Sequence, residues 1–220
     1  MAKRRPIVMV SSSVYGQEEL LERIYSLLTA LGYEVWMSHK GTIPTNSDES
    51  SLDSCLKAVE NCDIFLGLIT TNYGTTNYGT TKDGTTKDET TKDGKISATH
   101  SEFKRAIELN KRRWFLIHDR VVFARQILRK LGHNNQATRH KLDLKILAPY
   151  ISDLRVFDMY EDALDKHEEE GRITVRWVQE YDRDSDALLF AASQFSRYQD
   201  AERWIETQFA NKENFSGGEK

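Results

Sequence analysis

Glu102 is the residue of this chain best suited by type and position to do chemistry. It lies in Ser97-Ala98-Thr99-His100-Ser101-Glu102-Phe103, which reads as the opening of a helix. A carboxylate near a helix start, at the carboxyl edge of a parallel sheet, faces the crevice where such sheets bind ligands. There it can stabilise positive charge developing on a substrate. The same residues also have a purely local reading. Thr99-x-x-Glu102 fits a capping box, in which Glu102 bonds the Thr99 backbone, and pattern alone favours that cap. Ser11-Ser12-Ser13 follows the first apolar run, and hydroxyls and amides there suit phosphate or ribose; an ordinary serine-rich turn accounts for them equally well. Trp36 closes the second strand and could stack on a base, or serve as a core aromatic. The histidines at 39, 100, 118, 133, 140 and 167 are scattered. His100 and His118 fall nearest the crevice and are taken as structural. No G-x-G-x-x-G, P-loop, zinc-type Cys/His spacing, Ser-His-Asp or Cys-His arrangement occurs.

The elements that must position these residues alternate regularly. Asp63-Ile64-Phe65-Leu66-Gly67-Leu68-Ile69 is continuously apolar and ends in the polar turn Thr70-Thr71-Asn72-Tyr73-Gly74, which predicts a central parallel strand buried on both faces. Before it come a strand at Ile7–Val10, a helix over Gln17–Leu31 stopped by Gly32, a short strand at Tyr33–Met37, and a loop at Gly41–Ser51. A helix from Leu52 to Cys62, capped by Ser50 or Ser51, leads into the central strand. After it come a third helix around Phe103, Ala106 and Ile107 and a strand at Trp114–Ile117. This alternation predicts an α/β fold with a parallel, doubly wound sheet.

Beyond residue 118 the pattern weakens. Val121–Leu131 reads as a helix, 134–140 as a loop, Lys141–Ile151 as a short helix, and Leu154-Arg155-Val156-Phe157 as a fifth strand. Glu161–Glu170 reads as a charged helix, Ile173–Val178 as an edge strand or hairpin arm, and Ser185–Asn211 as the longest helix; residues 212–220 read as a disordered tail. The chain thus divides into an α/β domain at 1–118 and an extension at 119–211 that completes or packs on the sheet.

Residues 70–94 repeat a pentapeptide, Thr-Thr-Asn-Tyr-Gly and then Thr-Thr-Lys-Asp-Gly/Glu. A period of five is neither helical nor strand-like, and small polar side chains bury too little surface to offset ordering entropy. The segment is expected to be a flexible loop over the binding edge; a lid or partner-recognition loop is the sharper reading. Tyr73 and Tyr78 are its aromatics.

With 31 basic and 34 acidic residues the chain has a formal charge of −3, so no global field draws it to nucleic acid or membrane. No stretch is long and apolar enough to span a bilayer. Cys55 and Cys62, two helical turns apart, are too distant for a disulfide and read as residues of a reducing, cytoplasmic compartment.

Taken together, Val10-Ser11-Ser12-Ser13-Val14-Tyr15-Gly16, Leu52-x-x-Cys55-Leu56-x-x-Val59-x-x-Cys62-Asp63 through Ile69, Asn72-Tyr73-Gly74 and Ser97-x-Thr99-x-x-Glu102-Phe103 resemble the TIR-like domain of unknown function. The resemblance spans roughly residues 6 to 118. It implies a flavodoxin-like sheet. Some members of the wider TIR superfamily cleave NAD⁺ at the nicotinamide–ribose bond, with a glutamate after the central strand whose counterpart is Glu102. Other members are protein-interaction modules, and bacterial members serve anti-phage defence. The chain departs from TIR proteins in carrying Thr99-His100 where they place Trp-Cys, and in its repeat. The resemblance implies an NAD⁺ glycohydrolase, with NAD⁺ or a related nucleotide as substrate and no cofactor or metal. In it Glu102 acts on the ribose, and Ser11, Ser12, Ser13, Tyr15, Trp36, Tyr73 and Ser97 line the substrate. Self-association through the Gly41–Ser51 loop, or a defence-system partner, completes the picture. Two rivals remain open: a non-catalytic interaction module, and a nucleoside or nucleotide N-glycosidase using the same carboxylate.

Overall fold

The computed structural model describes residues 4–75, 96–142, 150–151, 153–165, 167–169, 172–174, 176–197, 200, 202–204 and 207. The repeat beyond Thr75, most of the segment at 141–151 and the tail at 212–220 lie outside the described residues.

Five parallel strands form the central sheet: β1 (Ile7–Ser12), β2 (Glu34–Trp36), β3 (Ile64–Ile69), β4 (Arg112–His118) and, from the far end of the chain, β7 (Val178–Tyr181), in the order β2-β1-β3-β4-β7. This is the doubly wound, flavodoxin-like arrangement. All six residues of the middle strand, β3, are buried, as a strand covered on both faces requires.

The pleat divides the core into two layers. Met9, Phe65, Ile69, Phe115 and Ile117 point to the side covered by α2 (Ser51–Asn61), α3 (Ala98–Glu108), α4 (Asp119–Lys130) and α6 (Arg155–Ala163). Val8, Val10, Ile64, Leu66, Leu68 and Leu116 point to the side covered by α1 (Glu18–Ala30) and α7 (Asp184–Phe195). Alternation along each strand makes this split, and it places Ser11 on the same side as Met9, beneath α2 and α3.

Gly67 sets the spacing of the layer beneath α2 and α3. It lies opposite Ser11 on β1 and Phe115 on β4. A Cβ at Gly67 would fall 2.6 Å from both Phe103 Cζ and Phe115 Cδ1. The Phe103 ring therefore rests on bare backbone, 4.9 Å from the Phe115 ring and 5.6 Å from Phe65 between centroids. A glycine here lets α3 approach the sheet closely.

The second half of the chain departs from the expected pattern in several places. Residues 154–157 are not a strand: Val156, Phe157, Met159 and Ala163 are buried at helical spacing on α6. The short apolar run Leu154, Val156 and Phe157 mimics a strand when read without Met159 and Ala163. The charged helix expected over 161–170 ends at Ala163, because Asp165 takes a left-handed conformation (φ 41) and pairs with Arg113. The chain then forms an antiparallel pair, β5 (His167–Glu169) with β6 (Arg172–Thr174). The strand expected over 173–178 is split between β6 and β7, and β7 joins the main sheet parallel to β4. The loop expected at 134–140 contains a short helix, α5 (Gln136–Arg139), closed by a reciprocal Asn135–Thr138 capping box. The long helix expected over 185–211 breaks after Phe195, whose carbonyl accepts a hydrogen bond from Tyr33 Oη at 3.0 Å; the chain bends at Ser196, residues 200, 202–204 and 207 are again helical, and the rest of 198–211 lies outside the described residues. α7 packs against α1 and its Phe195 ring meets Tyr33 and Trp114.

Candidate active site

The carboxyl ends of β1 and β3 and the starts of α2 and α3 enclose a cleft of about 530 Å³. Its walls are Ser12, Ser13, Val14 and Tyr15 after β1, Ser51, Leu52 and Cys55 on α2, Asn72, Gly74 and Thr75 after β3, and Ala98, Thr99 and Glu102 on α3, with Ser38 at the side. Two helix N-termini thus face one space, and helix starts carry partial positive charge. Among the described residues lining it, Glu102 is the sole carboxylate.

Glu102 is not a cap. α3 begins at Ala98, and Ser97 caps it by accepting a hydrogen bond from the His100 backbone N–H at 3.2 Å. Glu102 therefore stands one turn into the helix, next to Phe103. With Phe103 seated on Gly67, and Gly67 beside Ser11, the carboxylate reaches across to β1, where Ser11 Oγ donates to Glu102 Oε2. The Glu102 residue is only 5% exposed. Burial raises its carboxyl above the ordinary value of 4.5, and hydrogen bonds from Ser11 and the Cys55 thiol pull it part of the way back. Cys55 in turn is pushed up to about 12, mainly by burial and further by the neighbouring carboxylate. Its thiol is a protonated donor to Glu102 rather than a thiolate nucleophile.

Of the residues singled out from the sequence, the fold brings Ser11, Ser12, Ser13, Tyr15 and Glu102 together. Ser11 is spent on Glu102. Ser13 shares a 2.7 Å hydrogen bond with Thr70, and Ser12 donates to the Ser13 carbonyl at 2.9 Å. Tyr15 stands at the mouth, 81% exposed. Its carbonyl accepts from Asn72 Nδ2 at 3.0 Å, which ties the two strand-end loops together. Ser97 is buried under the cleft floor as the cap of α3. Trp36 does not reach the cleft: it is buried in the core, and its Nε1 donates to Glu34 at 2.9 Å. Tyr73 also points away, into the core beneath α3, where its hydroxyl meets His100 Nδ1 at 2.7 Å. Cys55, Asn72 and Thr99 also line the cleft, although nothing in the sequence marks them as ligands and Cys55 reads there as a small buried residue of α2.

The fold and the cleft define a doubly wound α/β protein with one buried carboxylate at the carboxyl edge of its sheet. The sequence profile of the domain of unknown function DUF4062 matches residues 7–184, and the chain belongs to that family. The match runs from β1 to the start of α7 and so takes in the whole central sheet. No curated protein matches the chain. Among solved structures, the CMP N-glycosidase BcmB of Clostridium botulinum is similar over 84% of this chain and 95% of that one, at 10% identity and a TM-score of 0.39. Among the described residues, no helix is long and apolar enough to cross a membrane.

Proposed function

We propose that the chain hydrolyses the N-glycosidic bond of a nucleotide or nucleoside, with Glu102 as the catalytic carboxylate. The observation that supports this is a single buried glutamate in a ligand-sized cleft, held by Ser11 and freed from capping duty. In such a reaction the C1′–N bond breaks and its electron pair leaves with the ring nitrogen. Positive charge spreads over C1′ and the ribose ring oxygen, and a carboxylate fixed beside them lowers the energy of that state. Water then adds to C1′ and gives up a proton, for which Glu102 is the nearest base. Ser11 and Cys55 hold the carboxylate in place, and hydroxyls and amides at the starts of α2 and α3 suit ribose or phosphate oxygens. Tyr15, exposed at the mouth, is placed to stack on a ring.

The leaving group decides the substrate class. A nicotinamide leaves NAD⁺ as a neutral molecule and needs no acid. A nucleobase needs a proton or a hydrogen-bond donor as it departs. Among the described residues that line the cleft Glu102 is the one carboxylate, an arrangement that suits a cationic leaving group, so we take NAD⁺ as the first substrate to test and nucleoside monophosphates as the second. The test is release of free nicotinamide or free base by the purified protein and by Glu102→Gln, from NAD⁺, CMP and other nucleoside monophosphates. Turnover by wild type and a loss of about 10²–10⁴-fold in the variant is the expected result. Binding without turnover in both would instead favour an interaction module on the same fold.

A further inference from the structure

A buried chain of polar side chains runs behind the cleft. Tyr73 Oη and His100 Nδ1 are 2.7 Å apart, and His100 Nε2 and Asp162 Oδ2 are 2.8 Å apart. The three residues come from three elements: the connection after β3, the first turn of α3, and the last turn of α6. Both ring nitrogens are used when Nε2–H donates to Asp162 and Nδ1 accepts the Tyr73 hydroxyl proton. Tyr73 is 2% exposed, and the Arg155 guanidinium covers its ring at 4.6 Å from the centroid. The Asp162 side chain, 40% exposed, is the solvent end of the chain.

What this chain joins is the cleft itself. The neighbours of Tyr73, Asn72 and Gly74, line one wall. The neighbours of His100 on α3, Thr99 and Glu102, line the other. A Cβ at Gly74 would fall 3.3 Å from Thr99 Oγ1 and 3.6 Å from Ser97 Cβ, so the loop after β3 packs closely on the start of α3 where both line the cleft. The residues that face substrate are thus backed by a connection to α6, an element of the second half of the chain.

We propose that Tyr73, His100 and Asp162 are positioning residues that fix the width of the cleft beside Glu102 and make α6 part of the site. The proposal rests on the reading of the cleft as the active site, but its test does not need turnover. Cys55 lines the cleft, whereas Cys62 is buried at the end of α2. The rate of N-ethylmaleimide modification at each cysteine, followed by mass spectrometry, reports cleft width and global opening separately. In Tyr73→Phe, which loses its hydrogen bond to His100, and in Asp162→Asn, which keeps an acceptor but loses its charge, Cys55 should react about tenfold faster or more, while Cys62 stays at its wild-type rate. Once a substrate is in hand, both variants should raise KM more than they lower kcat. An unchanged Cys55 rate in both variants overturns the proposal. So does equal acceleration at Cys62, which would mean general loosening. Asp162→Asn, altered at the solvent end, keeps the test open if Tyr73→Phe fails to fold. Absence of turnover with accelerated Cys55 labelling would count against the proposed reaction and not against the positioning role.

Discussion

Glu102 carries a cost as well as a role. Its carboxyl is raised above 4.5 because its ionised form is poorly solvated where it sits. The folded state therefore holds that proton more tightly than the unfolded chain. The resulting contribution to stability is fully present below the unfolded value of about 4.5 and is lost as pH rises through the folded value. Glu102→Gln has no such loss, so its stability advantage over wild type should grow across that window in denaturant titrations. An advantage independent of pH would contradict the burial. Catalysis runs the opposite way, since the reaction needs the ionised form: the acid limb of kcat/KM should lie above pH 4.5. Ser11→Ala removes a donor that favours the carboxylate, so it should move that limb further up and cost about ten- to a hundredfold in rate. A limb that stays put would show that Ser11 does not hold the catalytic group. At this scale the sequence is legible for residue types at strand ends: Ser11–Ser13 and Glu102 were singled out and do converge. It is not legible for which hydroxyl caps α3, because Ser97 and Thr99 are both N-cap residue types and Thr99 also has Glu102 at the capping-box spacing. Nor does it tell an edge aromatic from a core one: Trp36 and Tyr73, whose types suit stacking on a ligand, are buried in the core. Cys55 has no sequence signal at all as a cleft residue, since its place beside Glu102 depends on how α2 crosses α3.

Among the elements, β3 and α3 do most to build the site, through the contact of Phe103 with Gly67. A Cβ at 2.6 Å from two rings cannot be accommodated without moving α3 or the Phe115 side chain. Gly67→Ala should destabilise the fold by about 1–3 kcal/mol, measured by urea denaturation, and should weaken activity through displacement of Glu102. Full stability and full activity in that variant would show that α3 is not held where it is by this contact. The first-half elements were legible because each strand and helix there has a period long enough to separate them, and Gly32 marks a true helix end (φ 98). The misreadings fall on short windows. Leu154–Phe157 looks like a strand until Met159 and Ala163 extend the pattern, and the last turn of α7 meets Tyr33, far away in sequence, through the Phe195 carbonyl.

Across the whole molecule, β7 joins the second half of the chain to the first, and a cluster of charges ties α4, α5 and α6 of that second half together. Arg139 on α5 is fully buried and donates to Asp158 at 2.5 Å and to both Glu161 oxygens at 3.0 Å, while Arg125 on α4 reaches Glu161 at 3.1 Å. Removing Arg139 takes the fully buried guanidinium from between two carboxylates and leaves Glu161 to Arg125 and Asp158 to His140. Arg139→Met should therefore cost about 3–5 kcal/mol in denaturant unfolding, far more than an exposed pair would. A loss under about 1 kcal/mol would mean that the cluster is hydrated in solution. None of this network was visible in the sequence, where its members are spread over residues 125–161 in segments of weak periodicity.

The central claim is chemical, and one measurement addresses it directly: nicotinamide release from NAD⁺, with free base from CMP and other nucleoside monophosphates in parallel, by wild type and Glu102→Gln at high protein concentration. Release by wild type, with the variant folded and inactive, is the predicted result. Equal release by both proteins would remove Glu102 from the chemistry, and release by neither, from any substrate, would contradict the enzyme reading itself.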